Sequence, residues 1–179
     1  MLQIIMEYIY KMQSPVGALT VSSDGVNILG LWIEGQKYFS ATLGGEFLER
    51  RLPIFVEVER WLEKYFLGKE PDFMPSLAPQ GSAFQKTIWN ILCKIPYGQT
   101  TTYSEIAKQY ELQNKNKRTS ARATGNAISH NPISILIPCH RVIGKNGDLT
   151  GYAGGLDIKR KFLQIEKINE TYSIKDFRI

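Results

Sequence analysis

The chain has 179 residues, of which 43% are hydrophobic, and it carries a formal net charge of +5 at pH 7. A chain of this length can bury one good core or two small ones. Its apolar runs are too short to cross a membrane, and its start lacks the flanks of a signal peptide. The positive charge favours an anionic partner, although many ordinary domains carry as much. We therefore expect a soluble, intracellular protein.

The cysteine and histidine content argues against a disulfide framework and against a metal site. The chain has two cysteines, Cys93 and Cys139, and two histidines, His130 and His140. Two cysteines are too few for a disulfide framework, so we expect both to be thiols. All four side chains lie in the second half of the chain, and no pair has zinc-finger spacing. We expect no metal and no other cofactor.

The first part of the chain has the pattern of a small sheet followed by a helix. Short apolar runs separated by turn residues fill residues 7–33 and are typical of antiparallel strands. After Pro53, which suits the first turn of a helix, apolar residues recur at helical spacing until Gly68. Residues 71–81 contain three prolines and are predicted to form a linker.

Helix-start signals are frequent beyond the linker. Ser82 and Thr102 each lie three residues before a Gln or Glu, which is the spacing of a capping box. Ser120 can cap a third helix, which is predicted to end at His130. The helices that begin after Thr102 and Ser120 resemble a helix-turn-helix. Cys93, near Trp89 on the helix that begins after Ser82, is predicted to be a packing residue.

These patterns predict two domains in an α+β fold. Residues 1–79 are expected to form a small antiparallel sheet with one helix, ending in the proline-rich linker. Residues 80–179 are expected to form a helical domain that contains the helix-turn-helix.

The third helix of this second domain has small residues along its length, and Arg118 and Arg122 lie near its beginning. Its backbone could approach DNA phosphates closely while the two guanidinium groups supply positive charge. Small residues also serve plain helix packing, so both interpretations stay open. The small residues are Ala121, Ala123, Gly125 and Ala127.

A last helix is predicted from Asp157 to about Ile168. Glu166 follows Phe162 by four residues, which places its carboxylate against the apolar face of this helix. An unpaired charge there is expensive. Glu166 therefore either accepts a hydrogen bond from the imidazole of His140 or turns toward solvent.

The adjacent Cys139 and His140 are the first candidates for chemistry. They follow the apolar run Ile135-Leu136-Ile137, and an imidazole that titrates near neutrality can lower the pKa of a thiol or accept its proton. With Glu166 they would form a relay like those of other nucleophilic enzymes. The alternative is that Cys139 is a buried small hydrophobe and His140 a satisfied ring.

The residues around Cys139 resemble a known active-site region. Pro138-Cys139-His140-Arg141-Val142, preceded by Asn131-Pro132-Ile133 and followed by Gly151-Tyr152-Ala153-Gly154-Gly155-Leu156, resembles that of the O6-alkylguanine-DNA alkyltransferases, also called methylated-DNA-protein-cysteine methyltransferases. The resemblance covers about residues 80–170 and includes Ile95-Pro96-Tyr97-Gly98. It implies a ribonuclease H-like layout for the N-terminal domain and a winged-helix-like C-terminal domain.

The resemblance implies a role for each residue of the site. Cys139 would be the alkyl acceptor, and His140 would be its base. Glu166 would orient the histidine, and Asn131 would brace the turn that carries the cysteine. Tyr103 would push on the phosphate of the target nucleotide and donate a proton to the departing base.

Further residues are implied to contact DNA. Arg122 would enter the duplex and fill the stack that the flipped base leaves. Backbone groups around Val142, Tyr152 and Ala153 would contact the guanine. Some relatives have serine where this chain has Ala153, and because the backbone NH donor is the same in both, only the side chain's contribution to base recognition would differ. The complete set expected to contact DNA or the base is Arg122, Tyr103, Ser120, Ala123, Val142, Tyr152, Ala153 and Gly154.

The activity implied is direct DNA repair. The alkyl group of O6-alkylguanine, with O4-alkylthymine as a further candidate, would pass once to Cys139 and inactivate the protein. The partner would be double-stranded DNA, bound by a monomer without a metal in the cytoplasm, on the nucleoid of a prokaryote. Animal relatives can hold zinc in the N-terminal half, but this half contains neither Cys nor His.

Two other classes of function remain open from the residues alone. A non-catalytic DNA-binding module would use the helix-turn-helix and would not need Cys139. A cysteine hydrolase built on Cys139, His140 and Glu166 would turn over esters or amides many times.

Overall fold

The structure, a computed structural model, divides into two compact units. One unit consists of the described residues up to Gln80 together with Pro132–Ser134, and the other consists of Gly81–Asn131 and the described residues from Ile135 onward. A single domain boundary near residue 80 does not reproduce this division. Pro132–Ser134 follows that boundary in the sequence but belongs to the first unit. The structure describes residues 6–44, 46–115 and 117–167.

The first unit is built on a four-stranded sheet with the strand order β3-β2-β1-β4. β2 pairs antiparallel with both β1 and β3, as the turn-separated apolar runs predict. β4 was not predicted and pairs parallel to β1. It is three residues long and all three are exposed, so it has no alternation of buried and exposed positions that a sequence pattern could reveal. The strands are β1 (Glu7–Ser14), β2 (Gly17–Ser23), β3 (Ile28–Ile33) and β4 (Phe47–Glu49).

The helix of the first unit, α1 (Pro53–Phe66), begins at the predicted proline. It buries one apolar face, and the Phe55 ring stacks on Tyr10 of β1 with ring centroids 5.9 Å apart. The segment Pro132–Ser134 lies along the β3 edge, where the Leu31 amide donates to the Pro132 carbonyl oxygen at 2.9 Å. The Ser134 amide returns a hydrogen bond to the Leu31 carbonyl oxygen at 2.8 Å.

The second unit is mainly helical, and its helices start where the capping residues predict. Ser82 and Gln85 form a reciprocal capping box at the start of α2. The side chains of Thr102 and Ser120 accept backbone hydrogen bonds at the starts of α3 and α4. Within the described part of the chain, no helix is long and apolar enough to cross a membrane. The helices are α2 (Ala83–Leu92), α3 (Tyr103–Gln113), α4 (Ala121–Ser129) and α5 (Leu156–Ile165).

The predicted helix-turn-helix is α3 and α4, and both helices are joined to α2 by aromatic side chains. The Phe84 ring of α2 meets Tyr110 of α3 edge-on, with centroids 4.9 Å apart. The indole nitrogen of Trp89, also on α2, donates to the Ala127 carbonyl oxygen of α4 at 2.9 Å. These contacts make α2 the support for the two helices.

The prediction for the last helix is wrong at its C-terminal end. α5 ends at Ile165, and Glu166 is its C-cap residue. Lys167 has a φ of 58°, in the left-handed region, so the backbone leaves the helix there. Ile168, where the helix was expected to end, lies outside the described residues.

The capping box at Ser82 supports a direct test of this fold. Ser82→Ala removes the acceptor for the Gln85 amide, which is bonded at 3.2 Å, and we expect the unfolding free energy to fall by about 1 kcal/mol. Denaturant titration followed by circular dichroism measures the change. The control Lys86→Ala, at an exposed position of α2, should stay within about 0.5 kcal/mol of the wild type. Equal stability of Ser82→Ala and the wild type would contradict the capping role.

Candidate active site

A short parallel pairing brings the start of α3 beside the turn that carries Cys139. The two-residue strands β5 (Thr101–Thr102) and β6 (Val142–Ile143) pair in parallel, with Thr101 opposite Val142. Tyr103 directly follows β5, and the 3-10 turn Cys139–Arg141 directly precedes β6. Two distant parts of the sequence therefore meet at this point of the second unit.

Cys139 is held in this turn and is nearly buried, with 6% of its surface exposed. The Asn131 amide nitrogen Nδ2 donates to the Cys139 Sγ at 3.2 Å and to the Ile137 carbonyl oxygen at 2.9 Å. Burial raises the pKa of the Cys139 thiol, against the opposing effects of Asn131, the Lys159 ammonium group and nearby backbone amides. At neutral pH the sulfur is therefore a thiol and needs a base to become a nucleophile.

The alternative left open for Glu166 is decided by its position. Its carboxylate is buried rather than turned to solvent, and Oε1 lies 2.6 Å from Nε2 of the fully buried His140. Burial lowers the pKa of His140, while the Glu166 charge and hydrogen bond oppose this shift. The ring is therefore neutral at neutral pH and can accept a proton.

The Glu166 carboxylate is bonded on both oxygens. Besides His140, the Arg141 guanidinium donates to Oε2 through Nε at 2.9 Å and to Oε1 through Nη2 at 3.1 Å. The Gly98 backbone amide donates to Oε2 at 3.0 Å. Burial alone would raise the pKa of Glu166, but His140 and Arg141 lower it to about 2. The carboxylate is thus charged throughout the physiological range.

Lys159 is a second buried cation that the sequence reasoning did not single out. Its ammonium group is fully buried and donates to the carbonyl oxygens of Val142 and Thr150, each at 2.6 Å. Burial lowers the pKa of Lys159 to about 8, with an opposing effect from Cys139. A signal was available, because Lys159 precedes Phe162 by three residues and thus shares the apolar face of α5.

Tyr103 lies at the first position of α3 beside the same carbonyl groups. Its hydroxyl donates to the Thr150 carbonyl oxygen at 3.0 Å, and burial raises its pKa. Gly125 of α4 is a close neighbour of the Tyr103 ring, since a Cβ at Gly125 would lie 3.5 Å from it, an ordinary van der Waals distance. A surface depression of about 390 Å³ opens here, lined by Tyr103, Ala121, Gly125, Thr150 and Gly151.

The other residues expected to contact DNA occupy two places. Ser120, Arg122 and Ala123 are exposed at the start of α4, where the Ser120 hydroxyl accepts from the Ala123 amide at 3.1 Å. The second place is the β6 strand and the loop before α5. Val142 is buried there, its carbonyl oxygen already bonded to Lys159, while Tyr152, Ala153 and Gly154 are half-buried.

The structure therefore brings Asn131, Cys139, His140 and Glu166 into one buried cluster. Tyr103 and Lys159 lie beside this cluster: they share the Thr150 carbonyl oxygen as acceptor, and Cys139 acts electrostatically on both.

The other cysteine and the other histidine, Cys93 and His130, lie outside this cluster. Cys93 is exposed, so its predicted packing role is wrong. Cys93 directly follows α2 as its C-cap residue. His130 ends α4, and its Nδ1 lies 2.8 Å from the Asn126 carbonyl oxygen. Among the described residues, no three His, Cys, Asp or Glu side chains are grouped so that they could hold a metal ion.

Comparisons with known proteins cover both units. Residues 7–79 match the family model for the 6-O-methylguanine DNA methyltransferase ribonuclease-like domain, and residues 83–168 match the model for the DNA binding domain of the same family.

Curated relatives and a solved structure agree with these matches. The chain is 44% identical over 160 residues to a methylated-DNA–protein-cysteine methyltransferase of Methanosarcina acetivorans, covering 86% of this chain and 94% of that protein. It is 42% identical over 151 residues to the inducible enzyme of that name from Bacillus subtilis, covering 84% and 79%. The crystal structure of Mycobacterium tuberculosis OGT in complex with DNA is 37% identical with a TM-score of 0.77, covering 89% of this chain and 92% of that one. The chain therefore belongs to the 6-O-methylguanine DNA methyltransferase family, which confirms the resemblance carried by Pro138–Val142.

Proposed function

We propose that this protein repairs DNA by transferring the alkyl group of O6-alkylguanine to the thiol of Cys139. Family membership supports the class of reaction, since relatives 42% and 44% identical to it are named methylated-DNA–protein-cysteine methyltransferases. The observation that carries the proposal for this chain is the 2.6 Å contact between His140 and Glu166, directly beside Cys139. This contact supplies an oriented base for a thiol that does not ionise on its own at neutral pH.

The reaction begins with the transfer of the thiol proton. Because burial raises the pKa of Cys139 and lowers that of His140, the resting pair is a thiol and a neutral imidazole. The proton passes to His140, directly or through a water molecule, and the Glu166 carboxylate stabilises the imidazolium that forms. Sulfur then attacks the alkyl carbon as its bond to the guanine oxygen breaks.

The electron pair of the broken bond leaves with the guanine, which needs a proton to depart as a neutral base. Tyr103 lines the surface depression, and its hydroxyl would donate that proton in place of its present hydrogen bond to the Thr150 carbonyl oxygen. The product on the protein is a thioether. Unlike an acyl-enzyme, a thioether has no carbonyl group that water can attack, so each protein molecule acts once.

The lesion must leave the base stack before sulfur can reach it. Turning a nucleotide out of a duplex costs about a few kcal/mol. Arg122 is exposed in the first turn of α4 and would offset part of this cost by entering the duplex in place of the base. Ser120 and Ala123 beside it would meet the backbone, and groups around Val142, Tyr152, Ala153 and Gly154 would read the base.

In this function the protein acts as a monomer in the cytoplasm, without a metal or an organic cofactor. Its partner is double-stranded DNA that contains O6-alkylguanine. O4-alkylthymine has the same kind of alkyl–oxygen bond and is a second candidate substrate.

Mass spectrometry tests the transfer directly. After incubation with excess duplex containing O6-methylguanine, the peptide with Cys139 should gain one methyl group in place of the thiol proton, and the yield should stop at one methyl per protein. Cys139→Ser should gain none, and the matched control Cys93→Ser should behave as the wild type, since Cys93 lies exposed outside the cluster. An unmodified Cys139 peptide, or repeated release of product, would refute the proposal.

The role of Arg122 is tested by comparing duplex and single-stranded substrates. Arg122→Ala should slow methyl transfer from duplex DNA by about tenfold or more, because about 1.4 kcal/mol of lost compensation is a factor of ten. It should have little effect on the same oligonucleotide as a single strand, where no stack needs to be filled. Rapid-quench single-turnover rates provide the comparison. Lys161→Ala, which removes an equal charge from an exposed site on α5, is the control. Equal slowing on both substrates would contradict this role.

A further inference from the structure

We propose that Arg141 is a positioning residue for alkyl transfer: it fixes the Glu166 carboxylate and limits how strongly that carboxylate draws a proton onto His140. The inference rests on the proposed function, in which His140 accepts the Cys139 proton. It concerns a residue that does not touch the substrate and that acts through the base.

The geometry of the guanidinium group supports this role. Arg141 contacts both oxygens of Glu166, at 2.9 Å and 3.1 Å, and its third nitrogen, Nη1, donates to the Ile95 carbonyl oxygen at 2.7 Å. Both side chains are buried. The planar guanidinium group cannot rotate without breaking one of these three hydrogen bonds. The carboxylate that it binds is therefore held in one orientation.

The turn at residues 95–98 holds both members of this ion pair. Its first carbonyl, that of Ile95, receives a hydrogen bond from Arg141, and its last amide, that of Gly98, donates to Glu166 at 3.0 Å. The ring of Tyr97 lies under the guanidinium, with 5.7 Å between its centroid and the Arg141 Cζ. Gly98 has a φ of 73°, a left-handed conformation that glycine adopts without strain. The turn Ile95-Pro96-Tyr97-Gly98 thus contacts both Arg141 and Glu166 and fixes their positions.

The charge of Arg141 matters because of what Glu166 alone would do to the ring. A carboxylate 2.6 Å from an imidazole favours the protonated ring, and a protonated ring cannot accept the thiol proton. The charged and titratable groups that act on His140 or lie beside it are Glu166, Arg141, Lys159 and Cys139. Burial lowers the pKa of His140 most, Glu166 opposes this, and Arg141 and Lys159 lower it further. Glu166 can therefore orient the His140 ring while the Arg141 charge helps to keep that ring unprotonated.

Loss of the Arg141 charge raises the pKa of His140, because the Glu166 carboxylate then stabilises the protonated ring with less opposition. The base is then lost at a higher pH, and the low-pH side of the pH–rate profile, where His140 takes up a proton, moves to higher pH. A purely structural role would lower stability without moving this side of the profile.

The test uses Arg141→Met, which removes the charge, and Arg141→Lys, which keeps it but loses the planar two-point grip. NMR titration gives the pKa of His140 in each protein, and because the chain has two histidines, His130→Gln assigns the signals. Single-turnover methyl transfer from duplex O6-methylguanine is measured across the same pH range. We expect Arg141→Met to raise the His140 pKa by on the order of one unit, with an about tenfold lower rate on the low-pH side, and Arg141→Lys to raise it less.

The outcomes separate this inference from the proposed function. Unchanged His140 pKa and an unmoved profile in both variants would overturn the role of Arg141, even if the variants were less stable. If Arg141→Met does not fold, the NMR titration of Arg141→Lys decides, and no shift there also overturns the role. Absence of transfer in the wild type would refute the proposed function, while the NMR shift would still support the electrostatic role of Arg141.

Discussion

The buried carboxylate of Glu166 is the contact on which the rest of this site depends. A charge inside a protein is tolerated only when its hydrogen bonds are satisfied, and removing one partner of a buried pair typically costs about 3–5 kcal/mol. Glu166 meets this requirement with donors from His140, Arg141 and the Gly98 amide. The end of α5, the turn with Cys139 and the turn at residues 95–98 are therefore held in one arrangement, and a correctly oriented base is part of it.

Lys159 and Tyr103 make a second set of hydrogen bonds that connect separate segments near Cys139. Lys159 joins β6 to the loop at Thr150, and the Tyr103 hydroxyl bonds the same loop from the start of α3. The segments that would meet the base are thus tied to α5, the helix that carries Glu166. Burial meanwhile raises the pKa of Cys139, so the thiol has little reactivity toward solutes until a substrate and the base act together. This would suit the single reaction per molecule that we propose.

The sequence predicts the local features of this fold well because their signals lie within a few residues. The side chains of Ser82, Thr102 and Ser120 begin helices where expected, because a capping oxygen and the amide it satisfies are three residues apart. The spacing of Glu166 to Phe162 placed its carboxylate against the apolar face of the helix, but it left open whether the carboxylate is buried with a partner or turned toward solvent. Only the resemblance to a known family favoured His140 over solvent.

Features set by distant parts of the chain were beyond sequence reasoning. A pairing of two residues with two, such as β5 with β6, has no periodicity, and the same holds for the exposed β4. Arg141 and Lys159 are long cations that ordinarily lie at the surface. The spacing of Lys159 to Phe162 places it on an apolar face, but it does not reveal the backbone carbonyl groups of other segments that accept hydrogen bonds from these two buried side chains. The segment Pro132–Ser134 belongs to the first unit for the same kind of reason, since β3 offers it an edge.

The central claim is that Glu166 makes His140 an effective base for Cys139. The rate of single-turnover methyl transfer by Glu166→Gln, measured by rapid quench with duplex O6-methylguanine, tests it most directly. We expect a rate lower by about a hundredfold or more, with the affinity for the damaged duplex unchanged and Cys139 still the residue that is methylated. Transfer at the wild-type rate would contradict it.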